Sequence, residues 1–128
     1  METSRLKRFD LFASLSDEEL ERLAGVIGEI SVDDGAELLH AGTPPYQLFA
    51  IEEGSVQVQR DGETLATIGE GEVVGERGIV TRGLRNATAV ADGPVKAVYL
   101  TEDQIRRLQR EHPEVGERLQ AVLEERGE

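Results

Sequence analysis

The sequence predicts a mainly β domain with helices at both ends, one before the strands and two after them. The middle of the chain carries the first sign of this. From Ile30 to Leu100 it breaks into short β-rich runs separated by glycine and proline punctuation. The ends carry the second. Ser16-Asp17-Glu18-Glu19 has the S-x-x-E form of a helix capping box, and Thr101-Glu102-Asp103-Gln104 repeats it with glutamine in the last place. Many short strands at regular spacing are the pattern of a sandwich, a jelly roll or a barrel-like roll.

Taken in order, Leu11, Phe12 and Leu15 form a short apolar turn that would pin the first helix to a core. That helix is expected from about Asp17 to Gly28, with Leu20, Leu23, Ala24 and Ile27 at helical spacing. The strand candidates are Glu37–His40, Gln47–Glu52, Ser55–Arg60, Glu63–Ile68, Asn86–Ala91 and Val95–Leu100. Between them lie Gly42-Thr43-Pro44-Pro45, Glu53-Gly54, Asp61-Gly62, Gly69-Glu70-Gly71 and Asp92-Gly93-Pro94. Asp61-Gly62 is a strong hairpin signal, because both residues tolerate positive φ. Gly54 and Gly71 read as turn glycines. After the second capping box, Ile105 and Leu108 support a helix to about Glu111. His112-Pro113 interrupts it, and Pro113 suits the first turn of a new helix. Val115, Leu119, Val122 and Leu123 give that last helix, Pro113–Gly127, an apolar stripe.

The 128 residues suit one domain, and 38% hydrophobic with 31% charged residues is a globular composition. Fourteen basic and 26 acidic residues leave a net charge of -12, which disfavours generic nucleic-acid binding. The absence of cysteine removes disulfides, thiolate zinc sites and cysteine nucleophiles, and fits a cytoplasmic protein. No apolar run is long enough for a membrane span, and Met1–Arg8 lacks the apolar stretch of a secretory signal. His40 and His112 are isolated and read as structural, so a metal-dependent jelly-roll enzyme is a poor rival. No Ser/His/Asp or Cys/His set is readable, and no catalytic residue is assigned.

One segment breaks the strand pattern. From Gly75 to Ala89 it holds Arg77, Arg82 and Arg85 against the single acid Glu76, a net +2 within a chain at -12. Gly75 and Gly78 let the backbone approach a ligand and aim N–H groups at an anion. A helical turn starting near Glu76 would add its positive end. An arginine at the far end can clamp phosphate oxygens through its planar fork.

Gly75-Glu76, eight intervening residues and Arg85-x-Ala87-Thr88 resemble the phosphate-binding cassette of cyclic-nucleotide-binding domains. That family includes regulatory subunits of cAMP-dependent kinase, catabolite-activator-type regulators and cyclic-nucleotide-gated channels. The resemblance extends to Leu11-Phe12 with Leu15-Ser16, to Gly42, to Leu48-Phe49-Ala50-Ile51-Glu52-Glu53-Gly54 and to Ile68-Gly69-Glu70-Gly71. It implies a double-stranded β-helix, a jelly-roll-like β-roll, with one N-terminal and two C-terminal helices. The whole chain, 1–128, would be one domain: a helical segment 1–28, a roll 29–100 holding the cassette 75–88, and two helices in 101–128.

By the same resemblance, Glu76 would hold the ribose 2′-hydroxyl and Arg85 the cyclic phosphate. Backbone N–H groups near Gly78 and Ala87 would complete the cradle, and Asn86 would stand where family members tune the choice of base. Gly75, Arg77 and Thr88 complete the candidate set, although Arg77 and Arg82, taken singly, read as surface residues. Leu119, Val122 and Leu123 are candidates for an apolar lid over the base, although the stripe also reads as core or dimer surface. Arg77 stands where the family has an aliphatic residue, Gly78 replaces the usual alanine, and Leu84 replaces a common proline.

The expected function is a sensor of cyclic nucleotide, cAMP ahead of cGMP, with no other cofactor and no metal. It would signal by moving its C-terminal helices, through an effector protein or a weak homodimer formed by the last helix. Because the chain stops at Glu128, where catabolite-activator relatives continue into a helix-turn-helix, no direct DNA contact is expected. The alternative is a ligand-free roll that serves protein interaction or dimerisation.

Overall fold

A computed structural model of the chain describes residues 1–42, 47–75 and 87–125. Two short helical pieces come first: α1 (Thr3–Leu6) and a 3-10 turn at Asp10–Phe12. Helix α2 (Asp17–Ala24) follows, then β1 (Gly28–Val32), β2 (Glu37–Leu39), β3 (Gln47–Arg60), β4 (Glu63–Ile68), β5 (Val73–Val74) and β6 (Thr88–Thr101). Helices α3 (Glu102–Glu111) and α4 (Pro113–Glu125) end the described chain. All strand pairs are antiparallel, with β1-β6-β3-β4 as the main order, β2 on β6 and β5 on β3. The architecture is the expected one, an antiparallel β-roll flanked by helices.

Both capping boxes form. Ser16 Oγ accepts from Glu19 N–H at 3.2 Å and the Glu19 carboxylate accepts from Ser16 N–H at 3.3 Å. Thr101 and Gln104 do the same at 3.2 and 2.8 Å. Asp61 (φ 53) and Gly62 (φ 81) make the two-residue hairpin between β3 and β4, as their tolerance of positive φ predicts.

Helix α2 is shorter than expected, ending at Ala24 with Gly25 as its cap, and Gly28 opens β1 instead of closing the helix. Gly28 lies opposite Tyr99, and a Cβ there would come within 2.2 Å of the phenol ring. Only glycine lets that ring lie across the strand. Neither β1, β5 nor α1 was among the expected elements.

The larger correction concerns β3 and β6. Glu53-Gly54 and Asp92-Gly93-Pro94 do not reverse the chain; each lies inside one 14-residue strand. The positive φ of Gly54 (92°) and Gly93 (85°) is taken up where the β3–β6 register shifts, between Ile51 and Ser55, after which the ladder resumes at Ser55 opposite Asp92. The two signals face each other across the sheet: a Cβ on Gly54 would stand 2.4 Å from the Pro94 carbonyl oxygen. Paired bulges therefore replace two turns.

The core divides along the sheet. Leu48, Ala50, Val98 and Leu100 face the helices and join Leu6, Phe9, Phe12, Leu20, Ile105, Val115 and Leu119. Phe49, Ile51, Val56, Ala89, Ala91, Val95 and Ala97 form a second cluster inside the roll. Because both faces are covered here, Leu48–Ile51 is apolar without alternation. Glu52 follows it, 4% exposed, at the residue skipped in the register between Ile51 and Glu53. Both its oxygens accept from Arg5 of α1, Nε at 2.9 Å and Nη2 at 2.5 Å, and the same Nη2 donates to Glu29 at 2.6 Å.

Candidate functional site

The segment that inverts the charge begins after β5 and ends at β6, and both flanks are fixed on β3. Val74 pairs with Phe49 near one end of β3, and Thr88 pairs with Gln59 near the other. Gly75 is buried and has φ 101, a conformation that favours glycine. Glu76, Arg77, Gly78, Arg85 and Asn86 lie outside the described residues. Ala87 is 9% exposed.

Thr88 opens β6. Its neighbours Ala87, Ala89 and Ala91 are buried while Thr88 and Val90 are half-buried, so by strand alternation Thr88 stands on the opposite face. There its hydroxyl oxygen accepts from the backbone N–H of Ala41 at 3.1 Å. The sequence carried no signal for Ala41, because the donor is main chain.

The candidate lid residues are divided. Leu119, like Val115, is fully buried and packs into the helix-side cluster with Phe9 and Phe12. Val122 is partly buried against the same cluster, and Arg118 ties α4 to the 3-10 turn through Asp10 at 3.0 Å. The side chain of Leu123 lies outside the described residues. A cavity of about 380 Å³ opens between these elements, lined by Asp10, Leu11, Gly71, Val73, Arg118 and Val122 among others.

The two histidines are held by carboxylates. His40 Nδ1 meets Glu37 at 2.6 Å on an exposed strand end. His112, the single residue between α3 and α4, reaches Glu19 with Nε2 at 2.5 Å. Among the described residues no three His, Asp or Glu side chains gather as a metal site, and no helix is long and apolar enough to cross a membrane.

The model of the cyclic nucleotide-binding domain family matches residues 29–112. An uncharacterised NTE family protein of Mycobacterium bovis is 31% identical over 93 residues, 70% of this chain and 16% of that protein. The chain spans about a sixth of the length of the curated relatives it matches. The N-terminal domain of a transcriptional regulator from Streptomyces coelicolor A3(2) superposes with a TM-score of 0.71 at 30% identity, covering 98% of this chain and 92% of that one. The regulatory domain of Toxoplasma gondii PKA, crystallised with cAMP, superposes at 0.84 with 22% identity, over 96% of this chain and 48% of that one.

Proposed function

The chain belongs to the cyclic nucleotide-binding domain family, and from that premise we propose that it binds a cyclic nucleotide, cAMP in the first instance, between the β-roll and the segment 75–88. The observation that carries this is the local reversal of charge. The family match includes a stretch of net +2 in a chain of net -12, and within it Glu76 and Arg85 keep the spacing of a ribose acceptor and a phosphate clamp. A buried phosphate needs such a concentration of donors, and the acidic remainder of the surface cannot supply it. Gly75, Arg77, Gly78, Asn86, Ala87 and Thr88 complete the cassette in this reading.

The domain acts as a regulatory module and not as a catalyst: binding would shift the population of its helical ends, and an effector protein or a second copy would read the shift. Since Leu119 belongs to the helix-side core, the lid over the base falls to the far end of α4, at Val122 and Leu123. The roll, the sensor role and the absence of a membrane-crossing helix among the described residues are compatible with a cytoplasmic setting.

The test is a thermal melt with and without millimolar cAMP and cGMP, repeated on Arg85→Ala. Ligand at about 100 times its dissociation constant adds roughly 2.7 kcal/mol, a rise of several degrees. Removing Arg85 from a buried charge-assisted contact is expected to weaken binding about 30-fold or more. A rise with one nucleotide that the variant loses supports the reading and names the base. No rise with either would replace it with the ligand-free interaction module.

A further inference from the structure

We propose that the two capping boxes form a reciprocal interlock, through which helices α2 and α3 open and close as one unit. The inference concerns the helical face of the molecule, and neither it nor its test depends on nucleotide binding.

In a capping box the third helical residue turns one side-chain atom back to the residue before the helix. Glutamate and glutamine have a second polar atom to spare, and in this chain both spare atoms reach the other helix. Glu19 accepts from Ser16 N–H with Oε1, while its Oε2 stands 2.5 Å from Nε2 of His112, just past the end of α3. Gln104 accepts from Thr101 N–H with Oε1, while its Nε2 donates at 3.3 Å to the carbonyl oxygen of Val26, just past the end of α2. The head of each helix thus meets the tail of the other. The two helices run antiparallel and are tied at both ends.

The residue types suit these ties. Glutamate at position 104 would close the capping box equally well, but only the amide adds a donor. Val26 lies at a helix end, where carbonyl groups lack partners within the helix. Glu19 Oε2 is shut off from water and has no other partner among the described residues, so parting from His112 would strand a buried carboxylate oxygen.

Packing along the helices leaves the ties much to do. Leu20, Leu23 and Ile105 belong to the helix-side core, but a groove of about 490 Å³ also lies between the two helices. Leu23, Val26 and Leu108 line it, and Val26 is 60% exposed. Side chains along an open groove bury less apolar surface than side chains in close contact, and they hold their helices together less firmly. Both ties must break before the helices part, so a displacement of either helix reaches the other.

The experiment is amide hydrogen exchange on the full chain in wild type, Gln104→Glu and His112→Phe. Gln104→Glu keeps the capping box and removes the donor to Val26, and His112→Phe keeps a ring and removes its nitrogens. Leu20 N–H, bonded to Ser16 O at 2.9 Å, reports the Glu19 end of α2, and Ile27 N–H, bonded to Leu23 O at 2.9 Å, reports the Val26 end. His112 N–H, bonded to Leu108 O at 2.7 Å, reports α3, and Ile51 N–H, bonded to Glu72 O at 2.9 Å, reports the sheet. In wild type, Leu20, Ile27 and His112 should share one opening free energy, lower than that of Ile51. Gln104→Glu should speed exchange at the far reporter Leu20 about 2- to 10-fold, the effect of one neutral hydrogen bond. His112→Phe should speed it at the far reporter Ile27 about 10-fold or more, since a carboxylate loses its partner. Acceleration confined to the end that each substitution touches overturns the interlock. So do wild-type opening free energies that differ between α2 and α3, or that equal that of the sheet, a measurement that needs no variant to fold.

Discussion

Replacing Arg5 with alanine removes the partner of the buried carboxylate in this sheet while leaving every strand residue in place. Glu52 is 4% exposed, and Arg5 donates to both of its oxygens, a bidentate pair. Breaking a buried pair costs about 3–5 kcal/mol, because the remaining charge keeps its desolvation and loses its compensation. The Arg5 side chain is 25% exposed, so water reaches one side of the pair and the lower end applies, about 3 kcal/mol. In a domain of this length that corresponds to a fall in melting temperature of roughly 10 °C.

The pH dependence gives the sign. The hydrogen bond from Arg5 holds the Glu52 carboxyl below its ordinary value of 4.5, against the upward push of burial and with help from Lys96 and Arg8. A carboxyl lowered in the folded state contributes stability that is present above the unfolded value and is lost as the pH falls through the folded one. In Arg5→Ala the burial remains and the largest opposing cause is gone. Glu52 would then bind its proton more readily folded than unfolded, and the deficit of the variant should shrink as the pH falls from 7 toward 4.5. Urea denaturation followed by circular dichroism at both pH values measures this, and adding Glu52→Gln should recover part of the loss at pH 7. A deficit under 1 kcal/mol at pH 7, or one that does not shrink in acid, refutes the reasoning.

Three other substitutions have expected outcomes. Gly28→Ala places a Cβ 2.2–2.6 Å from three atoms of the Tyr99 ring and should cost about 1–3 kcal/mol in denaturation; combined with Tyr99→Ala the two losses should be clearly less than additive. Ser16→Ala removes the acceptor for Glu19 N–H and should cost about 1 kcal/mol, measured the same way. Leu119→Ala empties a fully buried site among the helices and should cost about 3 kcal/mol or more; a loss below 1 kcal/mol would mean that α4 does not pack there in solution.

What was legible in the sequence is what local chemistry decides. The two capping boxes, the Asp61-Gly62 hairpin and the break at His112-Pro113 each involve residues within a few positions, and each was found in place. What was misread depends on distant partners. Glu53-Gly54 has the composition of a turn, but Pro94 occupies the space beside Gly54, so the positive φ serves a bulge between two long strands. Gly28 looked like the end of a helix because its reason for being glycine, the ring of Tyr99, lies 71 positions away. At the edge of the candidate site, a backbone position suited to glycine at Gly75, where φ is 101, could be read from the chain. The contact of Thr88 with Ala41 could not, since a backbone donor leaves no trace in residue types.

The packing of α4 constrains how a signal could leave the domain. Val115 and Leu119 are both fully buried, and exposing both would cost about 3–6 kcal/mol at 1.5–3 kcal/mol each. Were nucleotide binding to require that exposure, the apparent affinity would fall by roughly two to four orders of magnitude. A movement that keeps these residues covered avoids the penalty, and the cluster shows what must move with them. Phe9, Phe12, Leu15 and Leu20 come from the N-terminal segment, and Asp10 of the same segment holds Arg118. A proposed swing of α4 over the base therefore has two inexpensive forms. Either the helix pivots beyond Leu119, leaving only its last turns to close, or it carries the N-terminal segment with it as one packed unit. In the second form the bidentate hold of Arg5 on Glu52 must yield or turn, because α1 is joined to the sheet there. The two forms separate on one point: Arg5→Ala should ease nucleotide-driven closure only if the N-terminal segment travels with α4.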